Sequence, residues 1–447
     1  MTMKTPIYDF VRRYAKSDGL RLHMPGHKGT GNLGVELLDI TEIDGADSLY
    51  EAAGIIRESE ENAGALFGAE TFYSTEGCSQ CIRAMLYLAT LQAKRQGRRP
   101  LIAAARNVHK TFVSAAALLD LDVLWLYPET PDSYLSCKLN TDMLDAQLAE
   151  YQPVAVYVTS PDYLGNLQDI AGLSAVCRRH GALLLVDNAH GAYLRFLRPS
   201  RHPMDLGADL CCDSAHKTLP VLTGGAYLHI SKTAPELFRK QAKNALALFG
   251  STSPSYLILQ SLDKANAYLA DGYAQKLAAF LPRLEQMKNH LTARGYCLQG
   301  EEPLKLTISS KPYGYTGKQL AEILLEKNIV CEFSDSDFVV MMLTPEIGEA
   351  GLTQLEQALL AIPEKPAITE IPPVFHRCTA AMSIRDAVMS PCETVAVEKS
   401  IGRVLAAPSV GCPPAVPIVV CGEQIDRAAV DCLGYYGIET CQVVLSD

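Results

Sequence analysis

No stretch of the 447-residue sequence approaches the roughly 20 consecutive apolar residues needed to span a bilayer. The opening segment, through Lys16, also lacks the continuous apolar core of a secretory signal. A basic excess is missing too: 40 Lys and Arg stand against 50 Asp and Glu, for a net charge of -10. Nucleic acid and anionic membrane are thereby disfavoured as partners, since either needs a clustered basic face. Internal repeats and low-complexity tracts are absent, which excludes a solenoid. Cysteine is not scarce, at 14 residues. Without a signal these read as thiols in a reducing cytoplasm rather than as a disulfide frame, so the expected location is cytoplasmic. What remains is a chain 48% hydrophobic and 20% charged, an ordinary globular composition, and long enough for two or three domains.

The pattern along the chain supports an α/β core. Residues 8–16 have amphipathic helical spacing and lead into a turn-rich stretch that Pro25 and Gly26 keep from being regular helix. Helical spacing returns at 54–67 and 79–95. Strand-like runs occupy 101–105, 123–127, 154–159, 182–187 and 209–213. Strands separated by helical stretches predict βαβ units and a mostly parallel sheet, whose ligands sit beyond the strands' carboxyl ends. A long helix is expected over 264–294. A smaller α+β unit follows, with extended runs at 304–309, 329–333 and 338–342 and helices at 316–326 and 351–362. Residues 363–374 carry four prolines and read as a linker before a last segment, with one helix at 383–389. The expected division is an arm and active-site segment at 1–54, a large domain at 55–265, a small domain at 266–362 and a C-terminal domain at 375–447.

Two neighbouring runs hold the strongest chemical signal. An apolar strand ends on Asp187, and a later short strand leads into Ser214-Ala-His-Lys217. A pyridoxal site needs a lysine amine to bond the cofactor aldehyde and a carboxylate against the pyridine nitrogen. Ser214 and His216 flank that lysine and can donate to a phosphate. A lone lysine is ordinarily a solvated surface charge and a lone aspartate ordinarily a cap; the two in this order favour the chemical reading. The Gly77-Cys78-Ser79 turn opens a helix, so its N–H groups and dipole suit a phosphate, with an ordinary helix cap as the competing reading. His109 ends another apolar run and has the shape to stack on a cofactor ring. Lys110 is a rival for the covalent lysine, but no carboxylate-ended strand leads into it.

Other motifs are decoys. Gly29, Gly31 and Gly34 match a dinucleotide fingerprint with no strand before them. Cys78 and Cys81 have no second ligand pair at zinc-like spacing, and His23 and His27 are separated by a helix-breaking Pro-Gly. No metal is expected.

These residues resemble the Orn/Lys/Arg decarboxylase family, pyridoxal-phosphate enzymes of the aspartate-aminotransferase fold (fold type I). The likeness covers nearly the whole chain. His23-Met-Pro-Gly-His-Lys-Gly29 is similar to the family's N-terminal motif. So are Thr159-Ser-Pro161 with Tyr163 and Gly165, the Ser214–Leu219 lysine motif, Thr252–Tyr256 with Asp263, and Gly411–Pro417 with Gly422 and Glu423. The resemblance implies a large domain with a mostly parallel sheet, smaller α+β C-terminal domains, and a short form without the N-terminal wing domain of larger members. It implies Lys217 as the Schiff-base lysine, Asp187 at the pyridine nitrogen, His109 on one ring face and Ala189 on the other. Gly77, Cys78, Ser79, Ser214 and His216 would hold the phosphate. Thr252 would reach the cofactor of a second subunit, implying a homodimer with the active site at its interface. Glu423 is the resemblance's suggestion for reading a distal cation.

The implied reaction is decarboxylation of lysine, arginine or ornithine to an amine and CO2, within polyamine metabolism. The alternatives are another fold type I activity, aminotransferase or lyase, and a catalytically weak regulatory homologue. Three departures keep the last in view: Asn188 where the family has Glu, Tyr193 where it has His, and Gly224 where it has Gln. The phosphate turn departs as well, reading Glu76-Gly-Cys-Ser79 in place of Asn-Gly-Ser-Thr.

Overall fold

The computed structural model describes residues 3–129, 133–375, 377–408 and 414–445. Gly411, Cys412 and Pro413 of the proline-rich motif lie outside the described residues. Its main sheet has seven strands: β1 (Glu70–Ser74), β2 (Leu101–Ala105), β3 (Asp122–Leu126), β4 (Ala155–Thr159), β5 (Leu183–Asp187), β6 (Leu210–Asp213) and β7 (Ala226–Ile230), in the order β1-β7-β6-β5-β4-β2-β3. The β5–β6, β2–β4 and β2–β3 pairs are parallel, whereas β7 runs antiparallel to both β6 and β1. The expected α/β class with a mostly parallel sheet is what forms. Every residue of β5 is buried, as a strand covered on both faces requires.

Two compact units divide the chain: Met1–Gln92 with Ile170–Ala175 and Leu183–Leu277, and Ala93–Asp169 with Val176–Ala182 and Ala278–Asp447. In the first unit, helix Pro6–Ala15 is anchored where Tyr8 N donates to the buried Asp263 carboxylate at 2.9 Å. The second unit holds a four-stranded antiparallel sheet, β10 (Phe333–Ser334), β11 (Phe338–Met342), β9 (Lys305–Ser309) and β8 (Cys297–Gln299) in that order, beside helices Gly317–Leu325 and Gly348–Leu360. Among the described residues, no helix is long and apolar enough to cross a membrane.

Several elements differ from expectation for identifiable reasons. The long helix expected over 264–294 is two helices, Tyr256–Tyr268 and Ala274–Ala293, because Asp271 and Gly272 leave helical geometry, the glycine at φ +82°. Of the run 329–333 only Phe333 joins a strand. Asn328 turns left-handed after the preceding helix, and Val330 stays in solvent. Strands β1 and β7 were not expected at all. The end of β7 carries His229, whose polarity breaks the apolar run but is absorbed by Asp213 and Thr71. Helix Arg427–Tyr435 also went unanticipated, although Asp426 caps it by accepting from Ala429 N at 2.8 Å.

Candidate active site

The carboxyl ends of β5 and β6 build the centre of the first unit. Their register sets Asp187 opposite Cys212, so the lysine turn starts two residues beyond the carboxylate's partner. Ser214 is the N-cap of the single turn Ala215–Thr218, and Lys217 N donates back to Ser214 O at 2.9 Å. Lys217 is half-buried, and its Nζ lies 2.9 Å from His190 Nε2. Asp187 is buried; one carboxylate oxygen accepts from Ala189 N at 3.2 Å and from the Cys212 thiol at 3.7 Å. Ala189 is buried immediately beyond it.

The glycine turn lies against this lysine turn. Gly77 starts the 19-residue helix Gly77–Arg95 at φ +68°, and its N–H donates to Gly224 O at 2.7 Å. A Cβ on Gly77 would stand 3.9 Å from His216 Cε1, which brings the helix start and the lysine turn together. His216 Nδ1 lies 3.0 Å from Gly225 O, and burial lowers the imidazole pKa. In the neutral ring Nδ1 therefore carries the proton, and Nε2 donates to a phosphate only when the ring is charged. The Cys78 Sγ lies within 4.8 Å of Cys212 Sγ and an Asp187 oxygen, so its side chain sits with that carboxylate. Ser79 is half-buried in the first turn of that helix.

Thr252 is exposed between helices Glu236–Ala247 and Tyr256–Tyr268. His109 belongs to the second unit, at the carboxyl end of β2. There it caps helix Lys110–Leu119, its Nδ1 accepting from Thr111 N at 3.2 Å. The rival Lys110 is in the same unit, its backbone N donating to Ala415 O at 2.7 Å. Glu423 does not suit the reading of a substrate cation. It is buried 3.6 Å from the Arg106 guanidinium and accepts from Val420 N at 2.7 Å, so its charge is already matched.

Sequence reasoning missed Asp213. Its carboxylate is wholly buried, bonded by His202 Nε2 at 2.9 Å, His229 Nε2 at 3.1 Å and Asn188 Nδ2 at 2.7 Å. Those histidines hold its carboxyl below the usual carboxylate range against the opposing cost of burial. Two of the departures, Asn188 and Gly224, have local explanations. Asn188 gives Asp213 a neutral donor where a glutamate would bring a second carboxylate. Gly224 has φ +97°, and a Cβ there would press to 2.8 Å from Thr75 O. Tyr193 is fully buried in the first unit. The visible signal for Asp213 was an acid ending an apolar run one residue before the Ser-Ala-His-Lys turn.

The profile of the Orn/Lys/Arg decarboxylase major domain matches residues 5–302. The chain belongs to the Orn/Lys/Arg decarboxylase family. It is similar to an uncharacterized Bacillus subtilis protein, 29% identical with 96% of this chain and 93% of the relative aligned. An arginine decarboxylase of Halalkalibacterium halodurans is likewise 29% identical, over 95% and 92% of the two chains. Among solved structures, lysine decarboxylase A of Pseudomonas aeruginosa superposes with a TM-score of 0.81 at 16% identity, over 98% of this chain and 80% of that one. This last likeness speaks to the fold.

Membership makes the chain a pyridoxal-phosphate-dependent decarboxylase of fold type I. The donor set fits the cofactor. A half-buried amine beside an imidazole suits its aldehyde, a buried carboxylate suits its ring nitrogen, and a left-handed glycine opening a helix suits its phosphate.

Proposed function

We propose that the chain decarboxylates a basic L-amino acid, releasing CO2 and the corresponding amine, with Lys217 and Asp187 at the centre of the reaction. The observation that carries this reading is the β5–β6 register, which sets Asp187 beside the strand that leads into Lys217. Bound pyridoxal phosphate supplies the electron sink for the pair left behind by the departing carboxylate. Asp187 holds a proton on the ring nitrogen, which keeps that sink open. Lys217 Nζ and His190 Nε2 share a proton across 2.9 Å and return it to the substrate carbon. Backbone N–H groups of Cys78 and Ser79 in the turn that Gly77 opens, with Ser214 and a charged His216, hold the phosphate. Ala189 packs on one ring face, and His109 has the stacking role on the other. Because His216 must be charged to donate, and burial lowers its pKa, cofactor affinity is expected to weaken as pH rises.

Arginine leads lysine and ornithine as substrate, because relatives matched over more than nine-tenths of their length carry that name at 27–29% identity. A homodimer in the cytoplasm is the proposed working form. Leu20, Leu22, Met24 and Leu33 are exposed along the N-terminal arm, with Leu248 near the exposed Thr252, an apolar surface that a second subunit would cover. Incubation of cofactor-loaded protein with each of the three amino acids, reading CO2 and amine, tests the reaction. Amine matched one-to-one by CO2 is expected. Keto acid without CO2 would instead mark an aminotransferase, and no turnover with any of them a regulatory homologue. A monomer by sedimentation would refute the dimer.

A further inference from the structure

Two thiols and a carboxylate meet in the first unit. Cys78 comes from the first turn of helix Gly77–Arg95, Cys212 from β6 and Asp187 from the end of β5. Both Sγ atoms and a carboxylate oxygen lie within 4.8 Å of one another, and all three residues are buried. Backbone pairing of Asp187 with Cys212 fixes two of the three donors.

Donors at the corners of a triangle with edges of at most 4.8 Å share a centre no more than about 2.8 Å from each (4.8/√3). Zinc takes thiolate at about 2.3 Å and carboxylate at about 2.0–2.2 Å, so closure needs shifts of at most about 0.5–0.8 Å. Two sulfur donors select a thiophilic cation over magnesium or calcium. A second buried group, His202, Cys211 and Asp213, has a single sulfur donor, and its carboxylate is already bonded by His229 and Asn188 from outside the group.

We propose that Cys78, Cys212 and Asp187 bind a thiophilic divalent cation, Zn²⁺ or Cd²⁺, and that this cation and pyridoxal phosphate exclude one another. Binding releases the two thiol protons to solvent, involves no redox change and leaves a fourth position for water. Exclusion rests on the reading of Asp187 as the ring-nitrogen partner. A carboxylate neutralised by a dication no longer favours a protonated pyridine, and the two cationic groups repel.

The test titrates cofactor-free protein with Cd²⁺ and follows the ultraviolet thiolate-to-cadmium band. One cation per chain is expected above the background of the other thiols. The signal should be lost in Cys78→Ser and in Cys212→Ala, and kept in the double variant Cys297→Ser/Cys392→Ser at two exposed cysteines. Pyridoxal phosphate should release the ion, and bound cadmium should block formation of the visible cofactor band until a chelator is added. An unchanged signal in Cys78→Ser and Cys212→Ala overturns the site. Full cofactor uptake with cadmium retained overturns the exclusion. Failure of the Asp187 reading shows separately, as a normal visible cofactor band in metal-free Asp187→Asn.

Discussion

Replacing Glu423 by Gln removes one charge from a buried pair and leaves the other in place. Arg106 is almost fully buried. It donates to Pro417 O at 2.8 Å and Ile418 O at 2.9 Å, lies 3.6 Å from the Glu423 carboxylate, and has Trp125 and Phe375 ring centroids at 5.4 and 5.1 Å. Stripping one partner from a buried pair costs about 3–5 kcal/mol. In Glu423→Gln the two carbonyls and two rings still serve the guanidinium, which sets the expected loss near the lower end, about 3 kcal/mol, or roughly a hundred-fold in the unfolding constant. In Arg106→Met both carbonyls lose a donor and Glu423 keeps a buried charge, so the loss should approach about 5 kcal/mol. The double variant should cost less than the sum of the two singles, because no charge is left unmatched. The chain's single tryptophan sits beside Arg106, so urea unfolding followed by Trp125 fluorescence reads this region directly. A loss below about 1 kcal/mol for Glu423→Gln, or strict additivity in the double variant, would refute the reasoning.

Asp187→Asn should slow turnover about a hundred-fold or more while the protein stays folded, if most of a buried pair's 3–5 kcal/mol appears in the transition state; near-normal turnover contradicts the assigned role. Asn188→Asp sets a second carboxylate against Asp213. It should destabilise the first unit at neutral pH and recover as acid protonates the pair, an effect absent from Asn188→Ala. Burial raises the Asp263 carboxyl from 3.8 to about 6, so folding takes up a proton between those values. Its contribution is present below about pH 4 and lost as pH rises through about 6, a change of about 3 kcal/mol. Stability of the native chain minus that of Asp263→Asn should therefore fall over this range, and a flat difference refutes it.

Much of the main sheet was legible because a strand covered on both faces writes itself as an apolar run. β2, β4, β5 and β6 all do so. The antiparallel β7 was not legible, since His229 is acceptable in the core through Asp213, 16 positions away, and Thr71, 158 positions away. For the same reason Asp213 showed only as an acid ending an apolar run, while its role, set by three buried donors drawn from different segments, did not show. Asp187 and Lys217 could be read because each ends or follows a strand, and strand ends are where such folds hold ligands. The placing of the Cys78 side chain beside Asp187 was not legible, because the motif shows which residues form the turn but not which way a side chain leaves it.

The most direct test of the central claim is where the cofactor attaches. Borohydride reduction of the cofactor-loaded protein, followed by peptide mass mapping, should find a single pyridoxyl group on Lys217, and none in Lys217→Ala, which should also lose the visible cofactor band. A label on Lys110, or a band unchanged in Lys217→Ala, would contradict the account.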